Sequence, residues 1–184
     1  ETSQRLVDVL LLALAPALPK LIPAQSQGTM NNLVMGNEHG AHYETIGGGC
    51  GAGPDRHGAS GRHVHMTNTL NTPIERLEHS LPVLVTHLGL RSGSGGTGLH
   101  RGGEGIIREY KLLEEMQVSI LCERRTHAPA GLAGGNAGKC GLNQHRSQTS
   151  MTVLPGKWQG CVAAGDSIRI ETPGGGGWGI EGTE

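Results

Sequence analysis

The sequence predicts a β-rich α+β fold in which an N-terminal helix is followed by glycine-rich loops and a mostly antiparallel strand region. Three observations carry this. A clear helical periodicity comes at the start, β-branched runs of strand length dominate the second half, and the elements do not alternate in the βαβ rhythm of a parallel sheet.

The first helix is expected from about Gln4, capped by Thr2 or Ser3, with Leu6, Val9, Leu10, Ala13 and Leu14 at three-and-four spacing. Pro16 and Pro19 end it. The polar connector AQSQGTMNN leads to two short strands at LVM and HYETI. A second helix is expected from Pro73 through Leu81, with proline in its first turn and Glu75 near its positive end. VLVTHLGLR, GIIREYKLLEE and QVSILCERR then read as strands. In the last of these, Val118, Ile120 and Cys122 share one face and Ser119 and Glu123 the other. MTVLP and DSIRIETP resemble a closing pair.

Glycine supplies 32 of the 184 residues, against about 7% in ordinary proteins, and is grouped at 47–53, 93–105, 131–141 and 174–179. Grouped glycine marks positive φ or close approach of the backbone to something else, so four irregular loops are implied. There is no Phe, and Tyr43, Tyr110, Trp158 and Trp178 are the aromatic residues, which leaves Leu, Ile and Val to supply nearly all of the burial.

The length fits a single domain, or a fragment, spanning 1–184. Fifteen Lys and Arg nearly balance sixteen Asp and Glu, so no global field draws the chain to nucleic acid or to an acidic bilayer. Cys50, Cys122, Cys140 and Cys161 are widely spaced without a C-x-x-C pair, as expected for reduced thiols in a cytoplasmic protein. The run LVDVLLLALAPAL is interrupted by Asp8 and flanked by Arg5 alone, which argues against a signal peptide, and it is too short for a membrane span. A start at Glu1 instead of Met suggests a fragment or a processed subunit.

Two G-x-G-x-x-G matches, at Gly93, Gly95 and Gly98 and at Gly174, Gly176 and Gly179, lack the following helix that a dinucleotide needs. GGNAGK is one residue short of a Walker A loop and has Cys140 where Ser or Thr would hold Mg²⁺. Neither motif makes this chain a nucleotide-binding domain.

The segment from Tyr43 to Pro73 holds His57, His63 and His65, a Thr/Asn tract and no long apolar stretch. It has too many donors and acceptors for core packing, which makes it the candidate site. On a strand, His63 and His65 would share a face. Their imidazoles could hydrogen bond, act in acid–base or polarising catalysis, or bind a metal. Asn68, Asn71, Thr67, Thr69 and Thr72 could hold an amide or carboxylate, or brace the loop as Asx and Ser/Thr turns. Arg124 and Arg125 could bind an anion or pair with Glu123 or Glu104.

Taken in order, ETSQRLVDVLLLALA, SQGTMNN, YETIGGGCGAGP, HVHMTNTLNTPIE, LRSGSGGTGLHRGGEGIIREY, ERR, GLAGGNAGK and TPGGGGWG are similar to the C-terminal part of the hydantoinase B/5-oxoprolinase family, over essentially the whole chain. The resemblance implies ATP-dependent opening of a cyclic amide such as 5-oxoproline or an N-substituted hydantoin. ATP and Mg²⁺ would be carried by a hydantoinase A-type ATPase partner in a hetero-oligomer, and any divalent metal would lie outside this chain. A sister branch carboxylates acetone or acetophenone, and a non-catalytic truncated scaffold is the remaining alternative. On this reading His63 or His65 polarises the ring carbonyl or relays a proton, Asn68 and Asn71 orient the ring amide, and Arg125 contacts an anion.

Overall fold

Two antiparallel sheets share one apolar core in a computed structural model that describes residues 2–182. In chain order the elements are α1 (Thr2–Leu14), β1 (Asn31–Asn37), β2 (Gly40–Ile46), α2 (Ile74–Ser80), β3 (Val83–Arg91), β4 (Gly105–Leu112), β5 (Met116–Leu121), β6 (Leu142–Arg146), β7 (Met151–Leu154), β8 (Lys157–Val162) and β9 (Ser167–Glu171). One sheet runs β2–β1–β5–β8 and the other β3–β4–β9–β6–β7. The predicted class holds, and no described helix is long and apolar enough to cross a membrane.

Two-residue alternation builds the core. Leu33 and Met35 of β1 lie opposite Ile120 and Val118 of β5, and all four are buried. Ile168 and Ile170 of β9 meet them from the second sheet, together with Ile106, Tyr110 and Leu112 of β4. The same inward face of β4 carries Arg108, which is 0% exposed. Its guanidinium stands 3.1 Å from Glu44 of β2 and donates to the Thr72 carbonyl at 3.0 Å. The Tyr110 hydroxyl donates to the other Glu44 oxygen, and His42 stands 3.7 Å from this carboxylate. An ion pair is thereby sealed between the two sheets.

Three expectations need correction. β7 and β9 are not a closing pair: β7 pairs with β6, while β9 lies between β4 and β6. LNQHR and KWQGCV form β6 and β8 although they carry few β-branched residues, because ladder partners on established strands override weak propensity. The glycine groups are not four separate loops. They converge on one another.

In that convergence Gly175 donates to the Gly103 carbonyl and accepts from Gly96, Gly176 donates to Gln25 and accepts from Ala52, and Gly177 donates to Asn136 and accepts from Leu132. Three successive residues therefore bond three different pairs of neighbours, as a threefold extended chain does and a twofold strand cannot. An ideal Cβ on any of the three would lie within 3.0 Å of a neighbouring carbonyl oxygen. The glycines are there because the chains touch.

The first helix also reverses an ordinary rule. An apolar stripe normally faces the core, yet α1 buries Gln4 and Asp8 and leaves Leu6, Val9 and Leu10 57–63% exposed. Long-range polar bonds fix this orientation, since Gln4 reaches Val64 and Met66, and Asp8 reaches His65 and Arg124.

Candidate functional site

The segment following β2 is held against the glycine convergence by a two-way backbone bridge. Gly48 N donates to Arg62 O at 2.9 Å and Arg62 N to Gly48 O at 2.7 Å. Beyond it the chain is not a strand, so His63 and His65 do not share a face. Val64 is buried between them, and His65 takes the left-handed region at φ 56°, a conformation that a side chain adopts only when its surroundings enforce it. Gln4 enforces it from α1: its amide NH₂ donates to Val64 O at 3.1 Å and its oxygen accepts from Met66 N–H at 2.7 Å. Thr67 closes the turn by donating to Val64 O at 3.0 Å.

The backbone reversal sends the two imidazoles to different places. His65 Nε2 lies 3.1 Å from Asp8 Oδ1, and Arg124 Nη2 lies 2.5 Å from Asp8 Oδ2. Arg124 also has positive φ, 60°, so two residues in unfavourable backbone conformations clasp one buried carboxylate. Burial opposes ionisation of Asp8, but the hydrogen bond from His65 and the Arg124 charge outweigh it and hold the carboxyl below its usual value.

His63 instead lines a cleft of about 360 Å³ with Gly47, Gly61, Arg62, Asn68, Thr69, Leu70 and Asn71. This volume is sufficient for a small heterocycle. Burial pushes the imidazole pKa down, so the ring is neutral at pH 7. Thr69 Oγ1 lies 3.5 Å from Thr45 O and 3.3 Å from His63 Nε2. The hydroxyl can donate to either one. Among the described residues neither His63 Nδ1 nor Asn71 Oδ1 has a hydrogen-bond partner, and both are covered. Contact with a ligand through these two atoms requires the 68–71 segment to shift. Asn68 and Arg62 are exposed on the cleft already, and Arg62 is the one charged residue in its lining.

The structure thus brings His63, Asn68 and Asn71 together and sets His65 and Arg125 apart from them. Arg125 donates to Asn143 Oδ1 at 3.1 and 2.7 Å, to Asn31 Oδ1 at 3.0 Å and to Glu123 O at 2.8 Å, so it ties β1 to β6. It lines a different cleft, with Glu123, Thr126 and Lys157. Arg62 was passed over in the sequence because it adjoins His63 without any spacing motif. The backbone bridge at Gly48 is what turns it to the cleft.

The GGNAGK segment is not shaped for a nucleotide. Lys139 N donates to Ser94 O, Gly174 N donates to Lys139 O, and a Cβ on Gly138 would crowd Gly175. Asn136 N likewise donates to Thr97 O, and the next element is β6 and not a helix. Among the described residues no three His, Cys, Asp or Glu side chains gather as a metal ligand set.

The hydantoinase B/oxoprolinase family model matches residues 1–181. The chain belongs to that family. It is 49% identical over 179 residues to 5-oxoprolinase 1 of Arabidopsis thaliana, covering 97% of this chain and 14% of that protein. A protein of Methanocaldococcus jannaschii is 45% identical over 179 residues, with 97% of this chain and 32% of that one covered. In three dimensions the chain is similar to the ATP-dependent caprolactamase from Pseudomonas jessenii, with a TM-score of 0.77, 22% identity, and coverage of 92% of this chain and 32% of the other. Our member of the hydantoinase B/oxoprolinase family therefore spans a third or less of these relatives.

Proposed function

We propose that this hydantoinase B/oxoprolinase chain contributes to an ATP-dependent hydrolase of cyclic amides, 5-oxoproline or an N-substituted hydantoin, working with a hydantoinase A-type ATPase partner. The carrying observation is the His63 cleft, which combines a neutral imidazole, two carboxamides and one cation with no acidic residue in its lining. A ring amide is a poor electrophile, and ATP bound by the partner supplies its activation. The residues of this chain then have defined tasks. Asn68 orients the ring amide through its own donor and acceptor, and Arg62 faces a carboxylate on the ring. Asn71 completes the contact when the 68–71 segment shifts to uncover its side chain. His63, neutral, then takes a proton from the attacking water or passes one to the departing ring nitrogen.

The test is co-expression with an A-type ATPase subunit, measuring ADP release with 5-oxoproline, hydantoins and acetophenone in parallel. ADP release should depend on a ring amide. Bicarbonate incorporation into a ketone would instead place the chain with the carboxylases. In the same complex His63→Ala is expected to reduce turnover at least ~10²-fold with an unchanged melting temperature. His65→Ala should do the opposite: it removes one of the hydrogen-bond partners of the buried Asp8 carboxylate and lowers the melting temperature. A loss of less than about threefold in turnover for His63→Ala removes that residue from the mechanism.

A further inference from the structure

Helix α1 is fastened to this domain by its polar side and turns its apolar side outward. Leu6 is 57% exposed, Val9 63%, Leu10 61%, Leu12 49% and Leu14 45%. At 100° per residue, Leu6, Val9, Leu10 and Ala13 fall opposite the buried positions Gln4, Asp8 and Ala15. Among the described residues of α1 neither charged side chain falls on this outer face. Asp8 is buried under the helix, and Arg5 turns toward it at 3.8 Å.

Such a face is unusual on an isolated domain. Monomeric proteins seldom expose a contiguous apolar patch beyond a few hundred Å², on the order of what two or three leucines present. Isolated helices shorter than about 12–15 residues are also marginal in water. With 13 residues and a polar inner face, α1 gains little apolar burial from its own domain. Apolar burial can add to the polar bonds that hold it only from the other side.

We propose that the outer face of α1 is a docking surface for protein, occupied by the portion of the family's polypeptide that lies outside the stretch shared with this chain. The proportions support that occupant over a second copy. The shared stretch makes up 32% of the M. jannaschii relative and 14% of the Arabidopsis one, so in both it lies beside at least twice its own length of further chain. An uncharged leucine face requires an apolar, uncharged counterpart, because a charge buried against it would go unpaired. A bilayer is a poorer fit. Helices that lie on membranes set a basic polar face toward water, whereas the polar face of α1 is bonded inside the protein.

The experiment co-expresses this chain, affinity-tagged, with the portion of the M. jannaschii relative that lies outside the shared stretch. The wild-type chain should co-elute with it as a stoichiometric complex. Leu6→Glu combined with Leu10→Glu should weaken the complex at least about tenfold, and Val9→Ser with Leu10→Ser should weaken it less. Thermal melting of both variants should stay within about 2 °C of wild type, because neither touches the core. The proposal falls if the wild-type chain does not bind the relative's portion, or if the glutamate variant binds as well as wild type. It falls equally if the substitutions disperse a homodimer, or release the chain from phosphatidylcholine–phosphatidylglycerol vesicles, without affecting that complex.

Discussion

Gly175→Ala is expected to destabilise this domain by about 3 kcal/mol or more, the upper range for forcing atoms into a filled interior. The Cβ it adds would lie within 3.0 Å of the Cys50 carbonyl oxygen and carbon, and these are backbone atoms with no rotamer to escape into. Relief means moving the 50–51 segment. That segment is tied to the neighbouring chains through Cys50 N to Ala59 O, Gly103 N to Cys50 O and Ala52 N to Gly176 O. At roughly 2–4 °C per kcal/mol for a domain of this size, the melting temperature should drop by about 6–12 °C. Gly89→Ala is the control. Its Cβ would meet nothing closer than His87 Nε2 at 3.5 Å, an ordinary contact, and its unfolding midpoint should move by less than about 1 kcal/mol. Equal effects of the two substitutions would mean that the glycines do not form a packed unit.

Glu44→Ala is expected to remove a further 3–5 kcal/mol, roughly the penalty for stranding one half of a buried ion pair. Arg108 is 0% exposed, so its guanidinium would keep the Thr72 carbonyl and lose its counter-charge. The combination Glu44→Leu with Arg108→Met should recover part of the loss, since it leaves no unpaired charge, although the Tyr110 hydroxyl and the Thr72 carbonyl lose their partners. Urea unfolding of the wild type, Glu44→Ala and the double variant checks both statements.

Acid should reveal the same group. Burial raises the Glu44 carboxyl, but the nearby His42 imidazole, the Arg108 charge and the Tyr110 hydroxyl outweigh it, and the folded value lies below the ordinary 4.5. A depressed folded pKa contributes stability that is complete above the unfolded value and is lost as pH falls through the folded one. Asp8 shifts in the same direction. Wild-type stability should therefore decline below about pH 5, and the Glu44→Ala profile should be flatter there.

How much of this was legible beforehand differs by element. β5 was readable residue by residue: Val118, Ile120 and Cys122 alternate against Ser119, and the structure buries the first three. Alternation is a local property that any neighbouring sheet will use. The partners of β9 were not readable, because strand pairing between 105–112, 142–146 and 167–171 is decided by which chains meet. In the candidate site, composition marked the right segment. The H-x-H spacing misled because it presumed a strand, and the bonds from Gln4, about sixty residues away in sequence, turn His65 to φ 56° instead.

By itself the sequence determined the family, the β-rich class, the apolar stripe on the first helix and the glycine groups, since each is written in residue type and short-range spacing. Only the tertiary structure decided that the stripe faces outward, that the glycines pack on one another, and that His63 lines a cleft while His65 is bound to Asp8. The reason is that a side chain's burial and direction depend on partners distant in sequence, and no local pattern encodes which partner arrives.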